Sequence, residues 1–168
     1  FTLLFSVTSF VNGDSFNKTV RFFFEAEYSL INNKMIRAGN NYEKATIYST
    51  SPSILVSAAD FFFDIGNYKK SIQFFSKLNA MQPTNFFYIK GLYNSLMALE
   101  KYDEARDLLH SSSELKIDRV AYLVADFNYS LENWDGLLDS YTEILLKNPS
   151  EKSVLKEMFV VANISQNT

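Results

Sequence analysis

Apolar positions recur at helical spacing, and the pattern then returns at a longer interval. After Gly66-Asn67, small or aromatic residues fall at Tyr68, Ser71, Phe75 and Leu78, and the run closes at Pro83. The same steps return at Trp134, Leu137, Tyr141, Ile144 and Pro149. They return without the proline at Tyr102, Ala105, Leu109 and Ser112, and in weaker form at Met35, Ala38, Tyr42 and Ala45. Steps of three and four residues place each set on one helix face. The leading residues are 33, 34 and 32 residues apart. An interval of about 34 residues built from two helices marks a stacked helical repeat.

Turn signals divide the rest of the chain into helices near 19–31, 35–49, 52–64, 68–81, 86–99, 102–112, 118–131, 134–147 and 151–162. Ser51-Pro52 reads as a hydroxyl cap with proline in the first turn, where its missing N–H costs nothing. Asp118 reads as another cap. Gly39-Asn40-Asn41 weakens the second helix by about 1 kcal/mol. An alternative makes it a turn copied at Gly66-Asn67, which would break the period. No stretch alternates at period two for long enough to require a strand. The expected fold is therefore all-α, a solenoid of stacked antiparallel helix pairs. Its units cover 19–51, 52–85, 86–117 and 118–151, and 152–165 supplies the first helix of a further unit. Ala26, Ala59 and Ala125 stand where two helices approach closely.

These residues resemble the tetratricopeptide repeat, a unit of about 34 residues in two antiparallel helices with an aromatic opening the second. Tyr102-Asp103-Glu104-Ala105 is the nearest textual match. Ser71, Leu137, Leu78 and Ile144 stand where the family prefers small residues, so the repeats are degenerate. The resemblance implies a superhelix whose first helices line a concave groove. It places Asp60, Phe63, Phe87, Lys90, Asn94, Met97, Arg119, Tyr122, Asp126 and Tyr129 in that groove. Lys90 and Asn94 match half of the clamp by which some relatives grip a peptide C-terminus. The other half fails, because Leu123, Ser153 and Glu157 stand where an amide and basic residues are needed.

Composition narrows the partner. The 168 residues carry a net charge of −3, with 47% hydrophobic and 21% charged residues. That is globular, and it lacks the basic footprint that nucleic-acid binding requires. With no Cys and a single His, His110, thiolate metal sites and cysteine nucleophiles are excluded, and no metal site or cofactor is expected. Asp60 and Asp64 share a helix face one turn apart, a spacing more common on a solvated surface than in acid–base chemistry. No phosphate loop or nucleophile elbow is present. The chain reads as a non-enzymatic scaffold that binds a peptide or protein segment in its groove. The alternative is a structural periplasmic segment of a larger envelope export or assembly machine.

Residues 1–13 are apolar and then reach Val11-Asn12-Gly13, which suits cleavage before Asp14. They read as the remnant of a signal peptide joined by 14–18 to the repeats, or alternatively as an ordinary first element. The first reading implies a periplasmic or secreted protein, the second a cytoplasmic one. No run is long enough for a transmembrane helix. Val154, Leu155, Met158, Phe159, Val160 and Val161 make the last helix too apolar for an outer cap. Either more repeats follow, or the face supports self-association.

Overall fold

The computed structural model describes the backbone of residues 2–117 and 119–165, and side chains from Asp14 onward except at 118 and 165. The described residues form nine helices and no strand. They fall into two compact units, Phe1–Gln82 and Pro83–Thr168. The first holds α1 (Thr2–Ile31), α2 (Met35–Tyr48), α3 (Pro52–Asp64) and α4 (Tyr68–Met81). The second holds α5 (Phe86–Met97), α6 (Tyr102–Glu114), α7 (Val120–Ser130), α8 (Trp134–Lys147) and α9 (Lys152–Ser165). Within each unit the substantial contacts join helices consecutive in sequence: α1 to α2, α2 to α3 and α3 to α4, then α5 to α6 and onward to α9. This is the arrangement of an α-helical repeat solenoid, in which each pair buries its apolar face against its neighbours.

One turn is used four times. Asn33, Gly66, Glu100 and Glu132 have φ of 55°, 76°, 56° and 54°, and each stands two residues ahead of the leading residue of its second helix. Each turn closes with the bond pair of a left-handed helix end. In the second of them, Gly66 N–H donates to Phe63 O at 2.9 Å and Asn67 N–H to Phe62 O at 2.8 Å. The polar side chain after the turn then caps the next helix in two cases. Asn67 Oδ1 accepts from Lys70 N–H, and Asn133 Oδ1 accepts from Gly136 N–H, both at 3.3 Å.

The turn at α7–α8 carries a constraint that helix propensity alone would misread. Asn133 Nδ2 also donates to Asn128 Oδ1 at 2.9 Å, and both side chains fold over Gly136. A Cβ on residue 136 would meet Asn133 Nδ2 at 2.5 Å and Asn128 Oδ1 at 2.8 Å. Gly→Ala in a helix ordinarily gains up to about 1 kcal/mol. Gly136→Ala is expected instead to lose about 1–2 kcal/mol by displacing the cap, which urea denaturation would measure. A gain in stability would show that the amide cage is dispensable.

The aromatic triplets divide their work between neighbours. Phe61 is buried against Tyr42 of the preceding pair, with centroids 5.0 Å apart. Phe62 stacks on Phe74 of its own partner helix at 5.8 Å, and Phe63 meets Tyr68 edge-on at 5.3 Å. Gly39 lies inside α2, so the turn reading of 39–41 is set aside. Its role is close approach: a Cβ there would sit 3.2 Å from the Phe61 ring.

Several local expectations are corrected. Residues 14–18 are not a joint, because α1 runs through them, helped by the Lys18–Asp14 ion pair one turn apart at 2.7 Å. The backbone of 2–13 is helical and continuous with them. Ser51 does not cap α3 with its hydroxyl, which instead meets Ser53 Oγ at 2.9 Å. The cap expected at Asp118 lies outside the described residues.

A groove between α7 and α9

Alternate helices of the second unit bring two first-helix faces side by side over α8. A cavity of about 670 Å³ opens between α7 and α9. Tyr122, Asp126 and Tyr129 line it from α7, and Lys156, Val160 and Ile164 from α9. Tyr141 of α8 and Glu157 of α9 contribute to its lining. Steps of four and three residues put Tyr122, Asp126 and Tyr129 on one face of α7. The walls hold apolar surface in contact with water: Tyr129 is 60% exposed and Val160 56%. Tyr129 is braced edge-on by Trp134 at 6.2 Å.

Both carboxylates of the groove are anchored by a buried tyrosine. Tyr93 O–H donates to Asp126 Oδ2 at 2.6 Å, and Tyr141 O–H donates to Glu157 Oε2 at 2.8 Å. Burial, the bond to Glu157 and the charge of that carboxylate push the Tyr141 phenol up to about 12. Burial first, then Asp126, raises Tyr93 as well. The first unit repeats the device within its first helix pair, where Tyr42 O–H donates to Glu27 Oε1 at 2.6 Å. Among the described residues, no lysine or arginine is ion-paired with Asp126 or Glu157.

Of the ten residues expected in a groove, the cavity gathers Tyr122, Asp126 and Tyr129. Arg119 lies elsewhere, its guanidinium 4.3 Å from the Phe86 ring centroid and 6.0 Å from that of Phe87. Phe87 is 72% exposed. Lys90 is exposed on α5, and Asn94 and Met97 are half-buried there. None of these five lines the cavity. In the first unit Asp60 is exposed and Phe63 packs on Tyr68. Partial burial and then the charge of Asp64 raise the Asp60 carboxyl above its ordinary value. Sequence reasoning missed Tyr141, Val160 and Ile164. In the sequence Glu157 registers only as a residue lacking positive charge. The signal for α9 was available, since 160 repeats the place of Asp126 one 34-residue step later.

No family model matches the chain, and no curated protein matches it in sequence. Solved structures do resemble it. MamA superimposes with a TM-score of 0.66 at 14% identity, over 87% of this chain and 81% of that one. MamA 41-end from Desulfovibrio magneticus RS-1 gives 0.64 at 14% identity, over 89% and 86%. YrrB, a TPR protein with an unusual peptide-binding site, gives 0.58 at 17% identity, over 87% and 77%. The chain has a tetratricopeptide-repeat fold. Its rhythm of about 34 residues and its consecutive helix pairs fit that fold. Among the described residues, no group of three His, Asp or Glu could hold a metal ion. Nor is any described helix long and apolar enough to cross a membrane.

Proposed function

We propose that this chain is a non-enzymatic protein-interaction scaffold that holds an extended peptide or protein segment along the groove between α7 and α9. The carrying observation is the cavity itself, open to solvent, with exposed Tyr122, Tyr129, Val160 and Ile164 beside fixed polar groups. Exposed tyrosines with a few placed acceptors suit peptide recognition. The likeness to YrrB, described as having a peptide-binding site, supports the same reading. The test is selection from a displayed random-peptide library. Val160→Ser and Tyr129→Ala change exposed side chains, so folding is expected to persist, and each is expected to weaken selected peptides about tenfold. Unchanged binding in both would remove the groove from the account.

A structural role in a larger assembly is a second reading. It is favoured by the outward side of α9, where Leu155 is 47% and Phe159 72% exposed. Sedimentation of the wild type and Phe159→Ser would separate the two readings. A concentration-dependent oligomer abolished by the variant supports the structural role, and a monomer throughout shows that this face does not pair copies of the chain.

A further inference from the structure

We infer that the segment taken by the α7–α9 groove carries a lysine or arginine flanked by apolar side chains. The inference rests on the groove reading above and adds the chemistry of the occupant. Asp126 and Glu157 reach the cavity from its two walls. Each gives one oxygen to a buried tyrosine hydroxyl, Tyr93 and Tyr141 respectively, and keeps the other for a ligand. Those hydroxyls hold the carboxylates in place, so a ligand need not order them. Among the described residues, the one cation lining the cavity is Lys156, and it is ion-paired to neither acid. Two carboxylates against one ammonium leave the groove net negative.

The walls favour the same occupant. A lysine or arginine has an apolar stem that lies along tyrosine rings while its head reaches an acceptor. Tyr122 and Tyr129 offer exposed rings on the wall that carries Asp126. A guanidinium over either ring adds cation–π attraction. Val160 and Ile164 opposite leave room for apolar neighbours of the basic residue. An acidic segment would meet two carboxylates of its own sign and would be rejected.

The experiment selects random displayed peptides on the wild-type chain and on the double variant Asp126→Asn/Glu157→Gln. The amide oxygens still accept from Tyr93 and Tyr141, so unchanged thermal unfolding confirms that the scaffold survives. Wild-type selections are expected to converge on a basic residue between apolar ones. Synthetic copies with that residue changed to Gln are expected to bind about tenfold weaker, as expected for loss of a charge-assisted contact. The double variant is expected to bind both copies alike. Peptides that need Val160 but show no preference for positive charge would overturn the charge assignment and leave the groove standing. Peptides indifferent to both Val160→Ser and Tyr129→Ala would overturn the groove and this inference with it.

Discussion

Leu137→Ala is expected to lower stability by about 3 kcal/mol, while Leu146→Ala on the same helix is expected to change it by less than about 0.5 kcal/mol. Leu137 is fully buried and packs with Ala121 and Ala125 of α7 and Val154 and Val161 of α9. Removing its isobutyl group loses transfer free energy and leaves a cavity between three helices. Leu146 is 79% exposed, so it has neither term to lose. The contrast separates burial from helix propensity, since both changes are leucine to alanine within α8. Equal destabilisation by the two, measured by urea denaturation, would contradict the packing described here.

Raising pH from 10 to 12 is expected to destabilise the chain steeply, and phenylalanine at residues 42, 93 and 141 is expected to flatten that slope. All three tyrosines are buried with their hydroxyls donated to Glu27, Asp126 and Glu157. Burial first, and then the carboxylate, raises each phenol above its ordinary value, Tyr141 to about 12. An unfolded chain loses these protons near pH 10, whereas the folded chain retains them. The stabilisation is therefore complete below about pH 10 and falls as pH rises through the folded value. Each tyrosine contributes a loss of about 1 kcal/mol per pH unit in that window. Urea midpoints across the window, for wild type and the triple phenylalanine variant, measure the difference. Identical slopes would mean that the phenols are not the titrating groups.

The repeat was legible because it is written twice, in side chains and in backbone turns. The spacing predicts helices at 68–81 and 134–147, and α4 and α8 have those bounds. Both are fixed by local signals, an Asn cap before and a proline after. Gly39 looked like a defect because its reason is tertiary, the ring of Phe61 against its Cα. The apolar spacing of α5 includes Tyr93, but the partner of its hydroxyl was hidden for a related cause. Tyr93 stands 34 residues after Ala59 and 32 before Ala125, in a place otherwise kept small, yet only 1% of it is exposed because its hydroxyl finds Asp126. A pattern of small residues cannot announce a large one whose partner lies 33 residues away.

The groove was half legible. Family geometry finds the α7 wall, Tyr122, Asp126 and Tyr129, because those positions follow helix phase. It does not find the floor, because Tyr141 belongs to the packing ladder and reads as core. Arg119 was placed by phase in the groove and is drawn instead to the faces of Phe86 and Phe87. Glu157 was discounted for lacking a positive charge, and its negative charge is what the proposed ligand would use.

Each helix depends on its neighbours in sequence and on no shared centre. Native-state hydrogen exchange of Leu137→Ala tests this dependence most directly within the second unit. Protection is predicted to fall in α7, α8 and α9 and to be retained in α5. An equal fall in all five helices, α5 included, would contradict the account.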